Sequence, residues 1–268
     1  MNTDALELSI LGPALIAGLL VLATHVPLGM HVLKRGIVFI DLAIAQVAGF
    51  GVIAADRLGW ESTTWAGQLA ALSAALAGAL LLTWTERRWP DIQEALIGTM
   101  FALSATGATL LLAGHAHGGE HLKDLLVGQI LWVSREQIVS MAIVTIIVLT
   151  AWFANQRSFG RIAFYLAFAL SVTASVQLVG VYLVFASLIV PALAVYAMTR
   201  GALMSAYLIG VVGYLVGLTA SAVFDLPSGP VVVWTLGVCA IGFVLGRRLL
   251  MRFTPMAQRL ANPTQSIR

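Results

Sequence analysis

Charge is scarce in this sequence. Only 10% of its 268 residues are Asp, Glu, Lys or Arg, against about 25% in an ordinary soluble domain. Lysine occurs only at Lys34 and Lys123, and no GxxxxGK[ST] phosphate-binding loop is present. Serine nucleophile elbows and HExxH helices are absent as well. Any ATP hydrolysis tied to this chain therefore falls to a partner. Cysteine is nearly missing too. Cys239 stands alone inside an apolar run, which excludes an intrachain disulfide. The N-terminus "MNTDALELSI" lacks the basic region of a secretory leader, so its first apolar run reads as a retained span.

What is abundant is apolar. Hydrophobic residues make up 60% of the chain and the mean hydropathy is +0.95. Several runs approach the roughly 20 residues that cross a hydrocarbon core. The fold class is all-α, a polytopic membrane protein with about nine transmembrane helices. The expected spans lie near 8–30, 37–55, 65–84, 95–113, 138–154, 162–178, 179–199, 203–224 and 230–249. Only Gly180 separates the sixth from the seventh, so eight spans with one broken helix is the alternative. Short loops imply a single transmembrane domain over 1–268, closing in a short basic tail over 250–268.

The basic residues divide unevenly between the two sets of loops. Twelve fall on one side, among them Lys34, Arg35, Arg87, Arg88, Arg161, Arg200 and the tail arginines. Three, Arg57, Lys123 and Arg135, fall on the other. This asymmetry predicts a multi-pass protein of the cell (inner) membrane, N-terminus outside and C-terminus cytoplasmic. It also accounts for the net charge of +3 and pI near 9.4 without invoking nucleic acid. Small residues at four-residue spacing, such as Gly67, Ala71, Ala75 and Ala79, or Gly213 with Gly217 and Gly242 with Gly246, predict close helix packing.

A few polar groups stand out against this background. Asp41 and Gln46 lie within an apolar run, where an ionisable group costs about 2.5–3.5 kcal/mol on insertion scales. For Asp41 the readings are a transport pathway or a structural ion pair near Lys34 and Arg35; for Gln46, a pathway or an interhelical hydrogen bond. His25, at the inner end of the first span, and His31, in the loop after it, are candidate partners. Pro191 interrupts the seventh span, and broken helices often line pathways; Gln177, Tyr182 and Ser187 lie near it. The densest set of ligand types is "GHAHGGEHLKD", in which His115, His117, Glu120 and His121 suit capture of zinc at the outer face. The bland alternative is a solvated polar loop.

Three stretches in order carry a resemblance. They are "PLGMHVLKRGIVFIDLAIAQVAGFG" at 27–51, "EALIGTMFALSATGATLLLAG" with "LLVGQILWVS" at 94–134, and "QLVGVYLVFASLIVPALAV" at 177–195. Together they resemble the permease subunits of zinc and manganese ABC importers. The resemblance implies the helical bundle of vitamin B12 and siderophore importers. It further implies a second permease chain forming a homodimer, a cytoplasmic ATPase subunit, and an extracytoplasmic metal-binding protein. The cargo would be a divalent transition metal, zinc first and manganese second, moved by alternating access with no permanently bound cofactor and no catalysis in this chain.

Two departures qualify that resemblance. The family helix carries Asp-x-x-x-His where this chain has Leu42 and Gln46, and the carboxylate stands one place earlier, at Asp41. One residue is about 100° around a helix, so Asp41 does not present itself as the family acid does. An amide is also a poorer zinc ligand than imidazole. The family's longer ATPase-docking segment corresponds here to "NQRSFGR", with Arg157, Ser158, Phe159, Gly160 and Arg161 as the coupling candidates. Alternatives are an ATPase-independent transporter or channel of this fold, an importer of another cargo, or a membrane enzyme or sensor built on the histidine-rich loop.

Overall fold

The computed structural model describes residues 8–60, 65–112, 128, 130–154 and 160–261. These residues form nine α-helices and no strand. They are α1 (Leu8–Arg35), α2 (Ile40–Arg57), α3 (Trp65–Arg88), α4 (Gln93–Leu112), α5 (Arg135–Ala154), α6 (Arg161–Val179), α7 (Val181–Ala194), α8 (Ala202–Phe224) and α9 (Ser228–Ala261). Single 3-10 turns, Pro90–Ile92 and Ile130–Trp132, precede α4 and α5. The all-helical membrane bundle expected from composition is the fold observed.

Seven of the nine helices are long and apolar enough to cross a membrane. The two others are α2, whose eighteen residues include Asp41, Asp56 and Arg57, and α7. At fourteen residues α7 reaches about 21 Å, short of the roughly 30 Å core. These two helices, one interrupted by charge and the other apolar but short, also carry the Asp41–Gln46 pair and Pro191, and so hold most of the pathway candidates.

Local chemistry sets the boundaries. Gly180 separates α6 from α7 with φ +79°, a conformation that costs an L side chain but not glycine. The sixth and seventh expected spans are thus two helices. Ser134 and Gln137 exchange hydrogen bonds at the start of α5, the Gln137 Oε1 accepting from the Ser134 N–H at 2.9 Å and the Ser134 Oγ from the Gln137 N–H at 3.2 Å. That reciprocal cap satisfies two of the donors an N-terminus leaves open.

Two boundaries correct the sequence reading. The first span does not stop near residue 30: α1 continues through Pro27 to Arg35, which puts His25 and His31 inside the helix. A proline inside a membrane helix is tolerated where a neighbour re-satisfies the freed carbonyl, and α8 does so here. The last helix does not stop at its expected span end near residue 249 either: α9 runs on to Ala261, into the 250–268 tail.

α6 is the central helix, with 67% of its span buried, against 11% for the span containing α4. It packs on α1, α2, α3 and α5, while α1 also meets α7 and α8. Small residues make the close contacts predicted for them. Gly51 of α2 lies on Ala70 and Ala74 of α3, and Gly213 and Gly217 of α8 lie against Leu236 and Thr235 of α9. The Thr235 hydroxyl adds a hydrogen bond to the Gly213 carbonyl at 2.8 Å. Gly242 and Gly246 are different: a side chain there would meet only open space among the described residues, so they mediate no packing within that part of the chain.

Candidate functional site

α2 presents two chemically distinct faces. Ile44, Ala45 and Ala48 share the buried side with Asp41, which is 1% exposed. Neither Asp41 carboxylate oxygen has a hydrogen-bond partner among the described residues. Gln46 lies about 140° around the helix from Asp41. It faces, with Leu42, a cavity of about 680 Å³.

Four helices build that cavity. Leu42 and Gln46 come from α2, Phe101 and Thr109 from α4, Tyr182 and Phe185 from α7, and Trp234 from α9. Among the described residues no charged side chain lines its wall. The Thr109 hydroxyl is already engaged with the Ala105 carbonyl at 2.9 Å. Gln46 is 9% exposed, and its amide makes no hydrogen bond among the described residues. Two pathway candidates far apart in sequence, Gln46 and Tyr182, are therefore brought to one wall.

The remaining candidates go elsewhere. Ser187 is fully buried and satisfied, its hydroxyl 2.8 Å from the Tyr214 hydroxyl of α8 and bonded to the Leu183 carbonyl at 2.7 Å. Pro191 is buried within α7. Gln177 lines a second cavity of about 700 Å³ between α3, α5 and α6, together with Gln68, Glu136, Gln137 and Ser140. His25 is buried, with Nδ1 2.9 Å from the Val21 carbonyl and 3.0 Å from the Thr24 hydroxyl. A carbonyl only accepts, so Nδ1 carries the proton. His31 packs its ring on Trp152 and Phe164. His115, His117, Glu120, His121, Arg157, Ser158 and Phe159 lie outside the described residues. Among the described residues no three metal-ligating side chains cluster.

At the arginine-rich end, Glu86 of α3 stands between two cations from different helices. Arg35 Nη1, at the end of α1, is 3.8 Å from Glu86 Oε1, and Arg161 Nε, at the start of α6, is 3.9 Å from the same oxygen. The Arg35 guanidinium also sits 4.5 Å above the Phe164 ring. Next to this group, the Gln93 side chain receives a hydrogen bond from Thr85 at 3.0 Å and gives one to the Leu82 carbonyl at 3.1 Å and one to the Tyr165 hydroxyl at 3.3 Å. Glu94 Oε1 accepts the Phe39 backbone N–H at 3.3 Å, tying α4 to the residue that opens α2. Gly160 caps α6 and Arg161 is its first residue.

Sequence reading did not single out Glu86, Thr109, Tyr214 or Trp234. Glu94 was visible as the acid of "EALIG", but its bond to Phe39 depends on how α4 meets α2.

The sequence model of the ABC 3 transport family matches residues 7–169 and 158–246. The chain belongs to that family. This ABC permease is 25% identical over 250 residues to the manganese transport system membrane protein MntC of Halalkalibacterium halodurans, covering 85% of this chain and 84% of the relative. Its fold is similar to a chain of PsaBC from Streptococcus pneumoniae, solved in complex with Fab, with a TM-score of 0.70, 21% identity, and coverage of 91% and 95%. A transporter assigned to the metal-chelate type of ABC transporters, captured facing inward, aligns with a TM-score of 0.64 and 17% identity over 88% and 85% of the two chains.

Proposed function

We propose that this family member is the membrane-spanning permease subunit of an ABC importer for a divalent transition metal. The observation that carries the reading is the shared cavity of α2 and α7. The two helices least suited to simple spanning meet there, and α2, α4 and α7, which carry the family resemblance, supply most of its wall. The manganese transport relative supports a metal cargo. Zinc and manganese are both within the proposal.

The mechanism is alternating access, with ATP hydrolysis on a separate cytoplasmic subunit rocking two copies of this chain about the cavity. The Arg35–Glu86–Arg161 group is the element that transmits this motion. It joins α1 and α6, and Arg161 is the last residue of the segment proposed to face the ATPase. The asymmetry of basic residues supports the arginine-rich end as cytoplasmic, with the N-terminus outside. An extracytoplasmic protein would deliver the metal to the opposite end.

The test is elemental mass spectrometry of cells expressing this chain with and without its co-purifying ATPase. A rise in zinc or manganese that requires the ATPase supports the importer. ATPase-independent accumulation would favour a channel, and no change in any transition metal would sink the proposal.

A further inference from the structure

The chemistry of the cavity wall is at odds with a bare ion. A dication sheds part of its hydration shell only against anionic or strongly donating ligands, with imidazole, carboxylate and thiolate leading for transition metals. Among the described residues none of these lines the cavity. Leu42 is a hydrocarbon, and aromatic and aliphatic side chains form most of the surface. Charge left in such surroundings without a partner is strongly disfavoured. Asp41, the carboxylate of α2 closest in sequence to Leu42 and Gln46, lies on the other side of that helix.

The wall does suit an organic molecule. A volume of about 680 Å³ is within the roughly 300–1,000 Å³ of small-molecule sites, which are mainly apolar with a few placed polar groups. Gln46 is such a group. The residue is 9% exposed, its amide makes no hydrogen bond among the described residues, and it lines the cavity with a donor and an acceptor to offer. Tyr182 adds a phenol at the same wall. A lipid chain or the apolar face of a second copy would leave this amide without a hydrogen-bond partner.

We infer that the cavity between α2, α4, α7 and α9 receives the metal inside an uncharged organic complex, with Gln46 bonding the polar edge of the complex and the aromatic side chains covering its hydrocarbon. This rests on the metal-importer reading and specifies the form of the cargo. The ligand atoms that replace water around the metal come from the small molecule, so the protein has no need of them.

The full chain in lipid nanodiscs, with empty discs as the control, provides the test. The probes are zinc bis(8-hydroxyquinolinate), which is uncharged and fluorescent, zinc chloride and manganese chloride. The expected result is saturable binding of the neutral complex at least tenfold tighter than of either free ion, weakened about tenfold by Gln46→Leu. The double variant Leu42→Asp with Gln46→His should invert that order and favour free zinc.

Wild-type protein that binds free zinc or manganese as tightly as the complex would overturn the inference. So would complex binding that Gln46→Leu leaves unchanged, which marks partition into lipid. A cavity that stays closed to the probe would overturn it as well. ATPase-dependent accumulation of free ion beside any of these results would leave the importer reading standing and remove only the inference.

Discussion

The Tyr207 hydroxyl of α8 donates to the Ala23 carbonyl of α1 across 2.9 Å, and Ala23 is the residue whose helical amide partner Pro27 removes. The hydrogen bond missing within α1 is made between helices instead, so α1 passes the proline and continues to Arg35. Tyr207→Phe should therefore lower stability by about 0.6–2 kcal/mol, the usual value of an interhelical bond in a membrane. Thermal unfolding in nanodiscs measures it. In a Pro27→Ala background the backbone amide restored at that position can bond the same carbonyl, and the loss should shrink by more than the error of a double-mutant cycle. Equal losses in both backgrounds would mean that Tyr207 acts through packing alone.

Gly128 bears on the same question of what punctuates the bundle. Its φ is +66°, and a Cβ there would collide with the backbone of Val179 and Gly180, at the junction of α6 and α7. The second and third sequence motifs thus meet glycine to glycine. Gly128→Ala should destabilise the protein by about 1–3 kcal/mol through backbone strain, read as reduced folded yield and a lower melting temperature. Gly242→Ala, facing open space, should cost far less in the same assay.

How much of this was legible beforehand differs by kind of feature. Hydrophobic runs predicted about nine helices and the small-residue spacing a closely packed bundle, because burial in lipid leaves few alternatives for the backbone; which helices meet was not legible. The end of α1 was not legible: the expected span stops near residue 30, where the apolar run gives way to His31, Lys34 and Arg35, and the Tyr207 bond to the carbonyl freed by Pro27 comes from much later in the chain. Gln46 and Tyr182 were candidates singly, but their common wall depends on how α2 and α7 pack. Ser187 looked the same as they did in sequence; its bond to Tyr214 is a tertiary fact.

Glu86 lies within 4 Å of cations on two other helices, a placement that suits the coupling role proposed for it. Both contacts are long ion pairs at a partly exposed site, so their worth to stability is small. Their proposed use is to keep α1, α3 and α6 moving together. Glu86→Gln should leave binding in the Gln46 cavity and the melting temperature nearly unchanged, yet lower ATP-dependent uptake several-fold. Exchanging charge, Glu86→Arg with Arg161→Glu, should recover part of that uptake if the pair matters. A Glu86→Gln protein with full uptake would remove the coupling role.

Asp41 sets the sharpest conflict between stability and use. A carboxylate that is 1% exposed, with neither oxygen in a well-formed hydrogen bond among the described residues, carries a desolvation cost that its place in the first turn of α2 recovers only in part. Leaving a buried polar group unsatisfied costs about 1–3 kcal/mol, and more when it is charged. Asp41→Asn keeps the shape, removes the charge and should raise the melting temperature. Activity and stability commonly trade off at such groups, and the same variant should lower ATP-driven uptake. Because Asp41 faces away from the cavity, affinity for cargo at Gln46 should not change. Leu42→Asn alters the cavity wall itself and should shift cargo affinity first. If Asp41→Asn gains stability and transports at the wild-type rate, the carboxylate has no part in the cycle, and the motion of α2 must be driven from Glu94 and the arginine-rich end alone.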